Sequence, residues 1–284
     1  MIIDHGLQLV LLHVPKCAGT ALRRAFLEDG GSRAIENHFD FEFDPVLKRQ
    51  VDRAHRPLMD LRHRPEWRWL QRYRVIAAIR HPYQRLASAC REFLKQKSRA
   101  TEIQVRSVPP SHEQLLAYLR RLPTAMDTHD LRWVHGFPIH WFTHHGERPK
   151  VHHLLRCSHL SEDLTVLGEE LNWPSSLQQR LAMVGAGAGR RDADDLDSLQ
   201  RRDDLRAVAN LLHVEDFECF GFRREEATIQ DPELAQLIDQ CLAVGDSHDL
   251  PLTNLTPEMR WYYGRSSLKP TLQLKPTRRW RPQP

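Results

Sequence analysis

A short run near the start of the chain, His13-Val14-Pro15-Lys16-Cys17-Ala18-Gly19-Thr20, carries the residue types of an anion site. It follows an apolar stretch, Leu7 to Val14, that reads as a buried strand ending at Pro15, and it precedes a helical pattern from Thr20 to Glu28 with Leu22, Ala25 and Phe26 on one face. Backbone N–H groups in such a turn and in the first helical residues have no partner inside the helix, and the helix dipole favours negative charge there. Cys17, Ala18 and Gly19 are small enough for phosphate oxygens to reach the backbone, and Gly19 can take a positive φ. Lys16 adds a mobile ammonium at the entrance, and Thr20 adds a hydroxyl at an N-cap or first-turn position. The lysine precedes the glycine, whereas a Walker A loop places it after the glycines, so this is a different phosphate loop or an ordinary strand-to-helix turn with a surface lysine.

A second group of the same kind is Ile79-Arg80-His81-Pro82-Tyr83-Gln84-Arg85-Leu86-Ala87-Ser88. Arg74 to Ile79 reads as a strand, Pro82 fits the first turn of a helix running to about Lys97, and Arg80 stands between them with a guanidinium suited to bidentate phosphate binding. Ser88 lies one to two turns into that helix. The alternative role for the pair is a helix-capping arginine and a solvent-facing serine. For acid–base work the region between the two groups offers His38, His55, His63 and Glu36. The histidines at His140 to His145 and at His152-His153 lack metal-ligand spacing, because adjacent residues of a strand point to opposite faces. Trp133 and Trp141 suit either an acceptor cleft or the core.

The elements that must position these groups are three strand–loop–helix units, the third being Val151 to Arg156 followed by Leu160 to Leu171. Strands alternating with helices predict an α/β fold, a P-loop-like three-layer α/β/α arrangement on a central parallel sheet. Ligands gather at the carboxyl ends of such strands, where Lys16 and Arg80 both fall. Further helices are expected over Ser111–Leu122, from Asp192 to Val214 and over Asp231–Val244, with a short aromatic run at Phe217–Phe222. The expected organisation is one domain over 1–222, a helical appendage over 223–263, and a Pro- and Arg-rich tail over 264–284 that is extended or disordered.

The chain has 284 residues, enough for one large α/β domain, with 40% hydrophobic and 27% charged residues, as in ordinary globular proteins. Its 41 basic residues face 37 acidic ones, and no concentrated basic face supports nucleic-acid binding. Five scattered cysteines without a C-x-x-C pair argue against a disulfide framework or a zinc site and fit a reducing compartment. No signal-peptide pattern and no apolar run near the ~20 residues of a membrane helix is present, so the expected location is the cytoplasm.

Taken together, Pro15-Lys16-x-x-Gly19-Thr20 after a strand and Arg80-x-Pro82 with Ser88 on the next helix resemble PAPS-dependent sulfotransferases, where PAPS is 3′-phosphoadenosine 5′-phosphosulfate. The resemblance extends loosely to about residue 222, through Leu154–Gly168, where His159 replaces a common acidic residue, and through Asp216-Phe217 to Gly221-Phe222. It is to the carbohydrate sulfotransferase branch, including the heparan sulfate 2-O-sulfotransferase group, as a soluble bacterial-type member. It implies that Lys16, Cys17, Ala18, Gly19, Thr20 and Ala21 hold the 5′-phosphosulfate, and that Arg80 and Ser88 hold the 3′-phosphate. It implies Lys16 as a catalytic cation, no metal, and an acceptor hydroxyl, of a carbohydrate by the branch resemblance. By placement His55 resembles that branch's catalytic histidine, with His38, His63 and Glu36 remaining open. Competing functions are a non-catalytic module that binds adenosine 3′,5′-bisphosphate and a P-loop kinase needing ATP and Mg²⁺.

Overall fold

The computed structural model describes residues 1–31, 33–44, 49–62, 64–100, 110–127, 129–145, 148–187 and 198–244. Three strands form the parallel part of one sheet, two of them continuous apolar runs that a doubly covered position buries and the third a largely exposed strand at its edge. They are β2 (Leu9–Leu12), β6 (Arg74–Ile79) and β9 (His153–Arg156). All of β2 and all but the first residue of β6 are buried. Their pairing is parallel, with Leu12 opposite Ala77 and Ile79 opposite Arg156. Two short strands absent from the sequence reading, β1 (Ile2–Asp4) and β3 (Ile35–Asn37), complete the order β3-β1-β2-β6-β9. β1 runs antiparallel to both neighbours, pairing Ile2 with Leu11 and with Asn37. The sheet is therefore mixed with a parallel centre, and the α/β class expected from sequence holds. Two-stranded pieces β4 (Phe41–Asp44) with β5 (Arg49–Asp52), and β7 (His144–His145) with β8 (Arg148–Pro149), lie outside it.

The chain divides into two compact units. The first comprises Met1–Phe41, Asp52–His81 and Ile139–Asp194 and holds the five-stranded sheet. Its helices include α1 (Gly19–Asp29), the short α2 (Leu58–Leu61), α3 (Trp67–Leu70) and α7 (His140–Thr143), then α8 (Leu160–Glu170) and α9 (Ser175–Gly187). α1 buries Leu22, Ala25 and Phe26, the face read from its periodicity, and Phe26 meets Trp173 edge-on at 5.6 Å. α8 buries Leu160, Leu164, Leu167 and Gly168, a stripe at helical spacing.

The second unit comprises Glu42–Val51, Pro82–Pro138 and Asp195–Pro284. Its described helices are α4 (Pro82–Ala100), α5 (His112–Leu119), α6 (Leu122–Asp127), a 3₁₀ segment Leu131–Gly136, α10 (Asp203–Leu212), α11 (Val214–Phe220) and α12 (Pro232–Val244). Ser111 caps α5 by accepting from the Gln114 N–H while Gln114 reaches back, and the helix expected to reach Leu122 breaks after Leu119 into two. Trp133 stacks on Phe93 at 4.4 Å and is 8% exposed, so it belongs to this unit's core. Phe217, first of the expected aromatic run, is buried on α11, which Gly221 ends in a left-handed turn at φ 67°. Arg120 binds Asp231 and Glu233, tying the start of α12 to the end of α5. The tail after 264 lies outside the described residues.

A polar group is buried in this unit around fully buried Arg85, His213 and Asp216. Arg85 donates to the Phe137 carbonyl. Burial, with the Arg85 charge adding, pushes the His213 imidazole below its ordinary value against the pull of Asp216, 3.4 Å away. Beside it, burial and the neighbouring Asp216 and Glu218 push the Glu215 carboxyl up to about 8 from 4.5. The folded chain thus keeps a proton on Glu215 where the unfolded chain has lost it. That contribution to stability is complete below 4.5 and disappears as pH rises through about 8. The His213 contribution has the opposite sign, lost as pH falls below 6.5, and is common to the wild type and a Glu215 variant. Glu215→Gln should therefore gain stability relative to wild type from pH 5 to 8, by up to about 1.4 kcal/mol per pH unit. Urea unfolding across that range measures it, and a difference independent of pH contradicts the assignment.

Candidate active site

The turn between β2 and α1 is built from left-handed backbone. Lys16 has φ 66° and Ala18 has φ 58°, with Cys17 between them outside that region. Each non-glycine residue so placed costs about 1–2 kcal/mol. Alternation of this kind turns successive backbone N–H groups toward one concavity, a nest that receives an anion. Helix α1 starts at Gly19 with Ala18 as its left-handed N-cap, and no side chain caps it. Thr20 and Ala21 follow in the first turn and are exposed, while Lys16 is half-buried and Cys17 fully buried.

Gly19 does not supply the left-handed conformation expected of it. Its role is room: a Cβ there would lie 2.0 Å from Cδ2 and 2.3 Å from Nε2 of His13, so the imidazole of His13 rests directly on the start of α1. On its other side His13 stacks on Phe39 at 4.4 Å and 17°, and Phe39 carries the Arg23 guanidinium at 4.1 Å. The His55 ring lies 4.4 Å from the His13 ring. His13 therefore adjoins Gly19, Phe39 and His55.

His55 is held by a carboxylate. Its Nδ1 lies 2.5 Å from Asp52 Oδ2, and Asp52 Oδ1 accepts the Ala54 N–H at 2.8 Å. The imidazole is only 12% exposed. The other sequence candidates are engaged differently. Glu36 accepts from His5 at 2.9 Å and from His38 at 3.0 Å. Burial opposes its ionisation, yet these two hydrogen bonds hold its carboxyl below the usual range. His38 turns its other nitrogen to Arg53 at 2.5 Å, with Glu66 3.4 Å away, and His5 meets Tyr73 at 3.0 Å. His63 lies outside the described residues.

Arg80 follows the last residue of β6 and is half-buried. It meets the loop at the end of β9. A hydrogen bond with Cys17 holds the half-buried Cys157 thiol below its ordinary value against burial, and the Arg80 charge lowers it further. Residues that follow β2, β6 and β9 thus act on one another: Cys17 bonds Cys157, and the Arg80 charge acts on the same thiol. Ser88 belongs to the second unit, half-buried on α4 six residues after Pro82. His152 accepts the Val75 N–H at 2.9 Å through Nδ1 and so serves the sheet.

The model of the sulfotransferase family matches residues 1–223. The chain belongs to the sulfotransferase family. No curated protein and no solved structure matches it. Family membership makes the protein a transferase of the sulfuryl-transferring class, and the matched span contains both the Lys16–Ala21 loop and the Arg80–Ser88 segment. Among the described residues no helix is long and apolar enough to cross a membrane.

Sequence reasoning missed Asp52, His13 and Cys157 as neighbours of this sulfotransferase loop. The only signal for Asp52 was its place three residues before His55, which gains meaning once the chain turns at Ala54. His13 had none, since its contact depends on the absence of a side chain at Gly19. Gly19→Ala should force the His13 ring aside and destabilise the protein by about 1–3 kcal/mol. Chemical unfolding measures the loss, and a substituted protein as stable as wild type with His13 unmoved contradicts the packing of His13 against Gly19.

Proposed function

We propose that this sulfotransferase moves the sulfuryl group of PAPS to an acceptor hydroxyl by in-line displacement, with His55 as general base. The observation that carries the donor assignment is the left-handed pair Lys16 and Ala18 leading into the uncapped N-terminus of α1. The loop from Lys16 to Ala21 binds the 5′-phosphosulfate, with its Cys17 and Ala21 amides donating to the Val14 and Ala18 carbonyls and so holding the turn in shape. The Lys16 ammonium stabilises the charge that develops on the bridging oxygen as adenosine 3′,5′-bisphosphate departs. Arg80 and Ser88 take the 3′-phosphate, a group that ATP lacks. Positioning and charge stabilisation dominate such a transfer, and these groups supply both without a metal.

The base must stand near the transferring group with a lone pair directed at the acceptor. His55 is favoured over His38 and Glu36 because its ring adjoins His13, which touches Gly19 at the start of α1, and its Nδ1 faces a carboxylate. His38 and Glu36 belong to the His5–Glu36–His38–Arg53 chain that holds β3 in place. The acceptor is a carbohydrate hydroxyl, on the resemblance to the carbohydrate branch and its heparan sulfate 2-O-sulfotransferase group. The division into a domain over 1–222, an appendage over 223–263 and a tail over 264–284 is part of the same proposal. The described cysteines Cys17, Cys90, Cys157 and Cys219 are in no disulfide, in keeping with the proposed cytoplasmic location.

Adenosine 3′,5′-bisphosphate at about 100 times its Kd should stabilise the protein by about 2.7 kcal/mol, seen as a rise in Tm. ATP with Mg²⁺ should give no shift, and the reverse pattern sinks the donor assignment in favour of a kinase. Arg80→Ala should weaken adenosine 3′,5′-bisphosphate binding by about tenfold or more. With labelled PAPS and a panel of glycans, lipids and small alcohols, wild type should label a glycan. Binding of the bisphosphate without labelling any acceptor supports a non-catalytic module instead. Lys16→Ala should lower kcat by about 10²-fold or more, and His55→Ala by about 10²- to 10⁴-fold with bisphosphate binding intact. Full turnover by His55→Ala removes the base assignment.

A further inference from the structure

We propose that Asp52 is a positioning residue for the transfer: it fixes the tautomer and orientation of the His55 imidazole and stabilises the imidazolium that forms when His55 takes the acceptor proton. The inference rests on His55 being the base and adds the group that prepares it.

An ionised carboxylate only accepts hydrogen bonds, so the 2.5 Å contact between Asp52 Oδ2 and His55 Nδ1 places the hydrogen of the neutral imidazole on Nδ1. The lone pair then sits on Nε2, the nitrogen able to accept the hydroxyl proton. In the other tautomer Nε2 carries hydrogen and cannot act as a base. The carboxylate is itself held. Asp52 is the last residue of β5, and its second oxygen accepts the Ala54 N–H at 2.8 Å in a turn that brings His55 back over Asp52. With both oxygens committed, the carboxylate cannot rotate away from the ring. His13 limits the imidazole from the side, 4.4 Å from its centre, and Phe39 lies 6.3 Å away. His55 is thus held at Nδ1 by charge and against the tilted His13 ring by packing, while the same His13 ring rests on Gly19 of the donor loop.

In the step, the acceptor O–H bond breaks as its oxygen attacks sulfur, and the proton passes to His55 Nε2. The S–O bond to the phosphate breaks with its electron pair leaving on the bisphosphate. Asp52 stays ionised beside the imidazolium, so the positive charge created in the step finds a fixed negative partner.

The discriminating variant is Asp52→Asn. Its side-chain oxygen can still accept from Ala54 N–H, which preserves the turn, while its amide can donate to His55 and favour the Nε2–H tautomer. The expected result is a fall in kcat of about 10²-fold or more. KM for PAPS, affinity for adenosine 3′,5′-bisphosphate and Tm should stay near wild type. Imidazole ¹⁵N shifts of His55 should move from the Nδ1–H toward the Nε2–H pattern, and Asp52→Glu should recover part of the lost turnover. In a His55→Ala background Asp52→Asn should cost nothing further, because groups acting as a unit are not additive. Unchanged kcat or unchanged ¹⁵N shifts in Asp52→Asn, or the same loss repeated in the His55→Ala background, overturns the positioning role. Full turnover by His55→Ala overturns the base reading itself, a result distinct from failure of Asp52→Asn alone.

Discussion

Parallel pairing of β2, β6 and β9 is the constraint on which the candidate site depends. Parallel neighbours cannot be joined by a hairpin, so each connection leaves from the same edge of the sheet and returns through a crossover. Register fixes that edge: Leu12 lies level with Ala77, and Ile79 level with Arg156. Lys16, Arg80 and Cys157, each just past its strand, are delivered to one side without any long-range search by their side chains. The antiparallel strand β1 extends the arrangement. Because it pairs antiparallel with both β2 and β3, those two run in the same direction, and β3 also ends at this edge. That is why Phe39 arrives beside His13, where the returning segment also brings His55.

The loop at that edge holds an unfavourable backbone in place by packing. Two left-handed non-glycine residues cost about 1–2 kcal/mol each. Against this, Cys17 is buried, Leu22 and Phe26 of the following helix are completely enclosed, and His13 clamps the helix start at Gly19. The histidines here are sorted by partner chemistry. His5 and His38 bracket Glu36 in a chain that closes on Arg53 and Tyr73, so their nitrogens hold β3 to the segments beyond it. His55 faces a carboxylate anchored by backbone. The first pattern suits a rigid scaffold and the second suits a group that gains and loses a proton.

How much of this was legible in the sequence follows from the range of each interaction. Strand β6 and helices α1, α8 and α12 could be read because apolar periodicity and proline placement are local. The anion loop and the arginine after β6 were legible for the same reason, as spacing within one strand–loop–helix unit. β1 and β3 were not, because three residues are too few to show a period. The glycine was noticed, but the left-handed φ read for it is taken by its neighbours: a sequence displays that Gly19 lacks a side chain, not that an imidazole occupies the space. The Asp52–His55 contact depends on β5 ending where it does and on the Ala54 turn, neither of which leaves a mark beyond the i, i+3 spacing. Trp133 could be assigned to cleft or core only once Phe93 and Tyr118 were found around it.

In-line transfer demands that donor and base be fixed with respect to each other, since an error near 1 Å can cost about 10²-fold. Under the proposed reaction the loop at Gly19 and the base His55 share one neighbour, the His13 ring. His13 closes β2, touches Gly19 at the head of the donor loop, and presents its other contacts to Phe39 and His55. Under the proposed reaction, movement of the phosphosulfate loop cannot leave the base behind, because the same imidazole would have to move. The absence of a side chain at Gly19 is then the condition for that coupling: any Cβ would part the donor loop from the histidine that links it to the base.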